Sequence, residues 1–174
     1  MRALADAERI RQFMRALGAE AAEDGAVYLT GGATAVLLGW RASTLDVDIL
    51  PIPEQESVLR AIPRLKNDLR VNVELASPRD FIPVPAGWED RSVFVAREGR
   101  LSFYHFDPYA QALAKIERGH AQDLEDVRAL VDRGLVDPSR ALAYLDEIER
   151  DLYRYPALDP ESFRRRVEEA LLAR

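Results

Sequence analysis

The sequence predicts an α+β fold: a small mixed β-sheet flanked by helices, followed by a helical C-terminal half. Three observations predict it. Up to about residue 107, short runs of period-two alternation are interleaved with glycine turns and helical stripes. Beyond Pro108 only the helical period remains. The chain has 174 residues, 48% of them apolar, enough for one good core and too few for two independent ones. Residues 1–107 and 108–174 therefore read as two halves of one packed domain.

The elements follow in order. Ile10, Phe13, Met14 and Leu17 form one apolar stripe, which predicts an amphipathic helix over about 5–22. Ala26-Val27-Tyr28-Leu29 is a short strand running into Gly31-Gly32, and residues 33–38 form a short buried helix closed by Gly39. Leu45 to Leu50 alternates apolar and acidic residues and ends at Pro51-Ile52-Pro53, a second strand. A helix over 54–62 is interrupted by Pro63. Leu69 to Ala76 is a third strand, with Val71, Val73 and Leu75 on one face and Asn72 and Glu74 on the other. Ser92–Ala96 and Leu101–Phe106 flank a hairpin turn whose Gly99 suits a positive φ. Helices follow at about 108–118, 121–133, 138–152 and 160–173, two of them opened by the cap-and-proline pairs Asp137-Pro138 and Asp159-Pro160.

Composition excludes several functions. With no cysteine there is no disulfide, thiolate metal site or thiol nucleophile, so a metal must sit mainly on oxygen. No apolar stretch approaches the ~20 residues of a membrane span, and the first residues carry acids rather than an apolar signal core. A soluble, cytoplasmic protein with no membrane partner is expected. A net charge of −6 argues against a protein that coats nucleic acid, because such binding scales with phosphates neutralised.

The chemistry is concentrated in Leu29-Thr30-Gly31-Gly32 and in Arg41-Ala42-Ser43-Thr44-Leu45-Asp46-Val47-Asp48-Ile49. Two carboxylates one residue apart on a strand share a face and repel unless a cation lies between them. Mg²⁺ or Mn²⁺ is the natural partner, held by one or two carboxylates and completed by waters and substrate phosphates. The Gly31-Gly32 turn supplies side-chain-free backbone that can approach a phosphate. Each part alone also reads as an ordinary turn or a solvated strand face; the conjunction is what carries specificity.

This conjunction resembles the DNA polymerase β-like nucleotidyltransferase superfamily, whose pattern is a Gly-Gly or Gly-Ser turn followed by an acid-hydrophobic-acid triplet. The run from Gly31 through Asp48 looks most like the minimal nucleotidyltransferases of the AbiEii-toxin-like group. The resemblance implies that Asp46 and Asp48 hold a metal, that Gly31, Gly32 and Ser43 or Thr44 hold the phosphates of a nucleoside triphosphate, and that a third carboxylate comes from a neighbouring strand. Glu74 matches that position as metal ligand or general base, with Asp68 and Asp80 as weaker rivals and a solvent-facing role for Glu74 as the alternative. A second motif, Lys115 and Arg118 followed by Asp123 and Asp126, resembles the lysine and paired aspartates that follow the family's core. There Lys115 would reach the phosphates; the alternative is a set of surface ion pairs, worth about 0–1 kcal/mol each. His105, His120, Trp40, Trp88 and the basic run 164–166 read as packing or surface residues.

The implied activity is transfer of a nucleoside monophosphate from a nucleoside triphosphate to a hydroxyl on RNA, protein or a small molecule, in an enzyme that could belong to a toxin–antitoxin pair. Competing readings are a non-catalytic binding or regulatory module of the same fold and a metal-free structural domain.

Overall fold

The structure is a computed structural model, and it describes residues 3–172. Packing divides the chain into two units, one of Met1–Ser77 with Ser92–Phe106 and one of Pro78–Arg91 with Asp107–Arg174.

The first unit is a five-stranded mixed sheet with helices on one face. Its elements are α1 (Ala7–Gly18), β1 (Gly25–Thr30), α2 (Gly32–Leu38), β2 (Asp46–Ile52), α3 (Glu56–Asp68), β3 (Asn72–Leu75) and, after a segment belonging to the second unit, β4 (Val93–Glu98) and β5 (Leu101–His105). The strand order is β3-β2-β1-β5-β4. β1 runs antiparallel to β2 and parallel to β5, β3 runs parallel to β2, and β4 and β5 form an antiparallel hairpin. Val27, Leu29, Val47, Ile49, Val73, Leu101 and Phe103 share the face that meets Ile10, Phe13, Met14 and Leu17 of α1, Ala33 and Val36 of α2, and Val58, Ala61, Ile62 and Leu65 of α3. Each large apolar side chain so buried contributes roughly 1.5–3 kcal/mol. The opposite face carries Asp46, Asp48, Tyr28 and Tyr104; Tyr28 stacks on Tyr104, ring centroids 5.5 Å apart.

Three expectations need correction. α3 does not stop before Pro63 but runs through it to Asp68. Pro63 is exposed, so water can satisfy the carbonyl it leaves unbonded, while buried Val58, Ala61, Ile62 and Leu65 anchor the helix on both sides. β2 does not end at Leu50. It continues to Ile52, because β3 pairs only with Asp46–Ile49 and the missing N–H of Pro51 falls where β2 has become an edge. β3 itself is short: Leu69 caps α3, Arg70 takes a positive φ of 54°, and Val71 N donates to Lys66 O. Leu75, expected on the buried face, is 57% exposed.

The β4–β5 turn shows why Gly99 is needed: its φ is +59°, and a β-carbon there would stand 2.4 Å from Gly18 O. One at Gly18 would stand 2.1 Å from Glu98 O. The end of α1 and the hairpin thus meet backbone to backbone.

The second unit contains a short helix α4 (Trp88–Arg91) and four longer ones, α5 (Pro108–Arg118), α6 (Ala121–Asp132), α7 (Pro138–Ile148) and α8 (Pro160–Leu172). The expected helix over 138–152 ends at Ile148 and tightens into a 3₁₀ turn, Glu149–Arg154. Asp107, Asp137 and Asp159 cap their helices by accepting from Tyr109 N, Arg140 N and Ser162 N. Asp107 is fully buried and its other oxygen takes two hydrogen bonds from Arg91, Nε at 3.0 Å and Nη2 at 2.8 Å. Arg91 also donates to Pro85 O and Ala86 O and lies 4.3 Å over the Tyr144 ring. One guanidinium therefore ties the segment before β4 to the start of α5 and to α7. Among the described residues no helix is long and apolar enough to cross a membrane.

His105 is a buried side chain of the first unit. Its Nδ1 lies 3.0 Å from Thr34 Oγ1, whose hydroxyl also lies 3.4 Å from Leu29 O. Burial, and then the charge of Arg11, lower its pKa from 6.5 to about 4. Between those values the unfolded chain binds the proton and the folded one does not. Stability contributed by neutral His105 is therefore complete above about pH 6.5 and lost as pH falls toward 4, about 3 kcal/mol in all. Urea unfolding at pH 7 and pH 4.5 should show a larger loss in the parent than in His105→Gln; equal losses would show that His105 titrates normally.

Candidate active site

β1 ends at Thr30 and the chain turns at Gly31, whose φ of 63° and ψ of −129° are open only to glycine without strain. Gly32 then opens α2. A β-carbon on Gly32 would stand 2.0 Å from Thr44 Oγ1 and 2.6 Å from Thr44 Cβ, so the turn is glycine because Thr44 fills the space beside it. Thr44 is held in turn: its backbone exchanges two hydrogen bonds with Ala5, and its hydroxyl donates to Asp46 O at 3.0 Å. Thr44, expected as a phosphate contact, thus links the glycine turn to the first residue of β2. Ser43 beside it is half-buried.

The register of β1 with β2 sets Thr30 against Asp48, and that of β2 with β3 sets Asp46 against Asn72 and Asp48 against Glu74. Asp46, Asp48, Asn72 and Glu74 therefore lie on one face of two adjacent strands. Asp46 and Asp48 are half-buried and Glu74 is exposed. Asp48 Oδ1 is closed off from solvent. A β-carbon on Gly31 would meet Asp48 Oδ2 at 3.1 Å, so the structure brings this carboxylate against the glycine turn. Of the rival acids, Asp68 ends α3 beside Arg64, and Asp80 lies in a 3₁₀ turn of the second unit.

Two residues to which the sequence assigned no role join this site. Arg41 Nη1 comes within 3.3 Å of the space above Gly32, which puts a guanidinium at the glycine turn. Its sequence signal was its place in the loop leading into β2. Asn72 donates through Nδ2 to Asp46 Oδ1 and, at 3.3 Å, to Glu74 Oε1. Asn72 opens β3, and the sequence offered no signal for it beyond its place on the Glu74 face of that strand.

The donors are hard oxygens on a strand pair, the chemistry of a Mg²⁺ or Mn²⁺ site completed by ligand and water. Among the described residues no group of three or more His, Cys, Asp and Glu is arranged to hold a metal.

The second motif lies within the second unit. Lys115 Nζ is 2.7 Å from Asp126 Oδ2 and 3.5 Å from Asp123 Oδ1, and Arg118 Nε is 3.6 Å from Asp123 Oδ2. The alternative of surface ion pairs is corrected by burial: Lys115, Asp123 and Asp126 are 6%, 5% and 0% exposed. The cluster ties α5 to α6. A cavity of about 760 Å³ in the same unit, lined by Ile116, Leu124, Val127, Arg128, Arg166 and Ala170, has neither paired acids nor an Asp beside a glycine turn.

Removing Lys115 takes away the cation that lies 2.7 Å from the buried Asp126 carboxylate. Lys115→Met should cost about 3–5 kcal/mol in urea unfolding, and adding Asp126→Leu should recover most of it, because an apolar pair replaces a buried ionic one at little cost. A single variant as stable as the parent would remove the structural role of the pair.

Residues 6–153 match the family model described as "Nucleotidyltransferase of unknown function (DUF6036)". No curated protein and no solved structure matches the chain significantly. The matched span takes in the glycine turn, both aspartates of β2, Glu74 and the Lys115 cluster, and it covers well over half of the chain. The chain belongs to this family of nucleotidyltransferases.

Proposed function

We propose that the chain is a metal-dependent enzyme that transfers a nucleoside monophosphate from a nucleoside triphosphate to a hydroxyl acceptor. One observation carries the reading: Asp48 stands against the Gly31 turn, with Asp46 on its own strand and Glu74 opposite it on the next. Asp46 and Asp48 hold the divalent cation, and the backbone of Gly31-Gly32, Ser43 and the Arg41 guanidinium receive phosphate oxygens. Bound there, the cation neutralises charge on the phosphates and orients them. Glu74 takes the proton of the acceptor hydroxyl, whose oxygen bonds to the α-phosphorus as the bond to the bridging oxygen breaks and pyrophosphate leaves. Glu74 is the most exposed of the three acids, which suits a group that must meet an acceptor arriving from solvent. Lys115 stays with Asp126 in this reading.

The finer placement beside the AbiEii-like toxins rests on the run from Gly31 to Asp48 together with the Lys115, Asp123 and Asp126 motif. With it comes a cognate toxin or antitoxin partner and an acceptor on RNA or protein.

Calorimetry with Mg²⁺ and each triphosphate, followed by labelling of a cell extract, tests the proposal. Asp48→Asn should lose metal-dependent binding and transfer together. Glu74→Gln should retain binding while transfer falls about 10²–10⁴-fold. Transfer equal to the parent in Glu74→Gln would remove Glu74 as the base, and a parent that binds triphosphate yet labels nothing would favour a binding module.

A further inference from the structure

Asn72 is a polar residue in direct contact with the acids of this face whose chemistry the proposed transfer leaves unused. It stands opposite Asp46 in the β2–β3 register and two residues before Glu74 on its own strand. Its carboxamide has an unambiguous orientation: both neighbours are carboxylates, which when ionised only accept, so the –NH₂ end must face them. That group has two hydrogens, and it places one on Asp46 Oδ1 and one on Glu74 Oε1.

No other short side chain does this. Serine offers one hydrogen, aspartate offers none and adds a third negative charge to the row, and leucine or valine offers none. Asn72 opens β3, and the site it occupies is the gap between two acids that would otherwise repel. Being neutral, it lowers that repulsion without cancelling the charge that attracts a cation. It also commits one oxygen of Asp46 and leaves the other to act as ligand.

We propose that Asn72 is a positioning residue: it orients Asp46 toward the divalent cation and ties Glu74 to the same frame, so that metal ligand and proton acceptor keep a fixed relation. This inference rests on the proposed transferase reading and adds to it the residue that sets the ligand's geometry. Hydrogen-bonding partners of metal ligands are worth about 10–100-fold in metal affinity.

The test is Mn²⁺ binding by the full chain without nucleotide, followed through the loss of the free-ion electron paramagnetic resonance signal. Asn72→Val keeps a strand-forming residue and removes both hydrogens; Asn72→Ser keeps one. Asn72→Val should bind Mn²⁺ about 10–100-fold more weakly than the parent, with an unchanged thermal unfolding midpoint. Asn72→Ser, the variant to rely on should the valine perturb folding, should bind more weakly than the parent by a smaller or equal factor. Parent-like Mn²⁺ affinity in Asn72→Ser and Asn72→Val overturns the role of Asn72 while leaving the transferase reading in place. A parent chain that takes up no Mn²⁺ with or without triphosphate overturns that reading and this inference together.

Discussion

The candidate site depends on the packing of Thr44 beside Gly32. A β-carbon cannot enter that space, so the turn after β1 must be glycine, and its backbone must lie close to the residue that leads into β2. The same threonine binds Ala5 through its backbone and Asp46 through its hydroxyl. One residue thereby fixes three things at once: through its backbone the segment before α1, and through its side chain the bare turn and the start of the strand that carries both aspartates. Propensity does little here, since α2 has only seven residues, too few for a stable helix without tertiary support. It is the steric fit that holds the turn in register with the acids.

The second unit depends on electrostatics more than on fit. Asp107 and Asp126 are fully buried, and each is answered by a cation from another part of the unit, Arg91 and Lys115. Buried charges are tolerated only when paired and hydrogen-bonded. Asp107 meets that condition in full, with a backbone N–H on one oxygen and a bidentate guanidinium on the other. Such pairs add little net stability over an apolar substitute, but they penalise any arrangement in which the partners are apart. They specify which helices meet.

How much was legible in the sequence divides along the same line. Gly31-Gly32 and Asp46-Val47-Asp48 were legible because both signals are local: a turn needs its glycine in place, and period two puts the aspartates on one face whatever the sheet does. The mixed sheet and the helical second half were legible from periodicity. Asn72 and Arg41 were not, since their meaning depends on which residue lies across the strand pair and on how a loop folds back. Pro63 and Pro51 misled for a related reason. A proline breaks an element only where its missing hydrogen bond cannot be met otherwise, and that turns on exposure and on where a neighbouring strand stops. The burial of Lys115 was hidden because an alternation of lysine and aspartate looks the same on a solvated helix as between two packed ones.

The meeting of Gly18 with Gly99 bears on how the chain can vary. Both positions are already at the smallest possible size and each faces the other's backbone or its neighbour's. A change at one has no compensating reduction available at the other. A random mutagenesis screen for lost activity would therefore return hits at this joint, which has no part in the chemistry, alongside hits at the acids. Tolerance maps of this chain separate into two classes only when the abundance of each variant is counted together with its turnover.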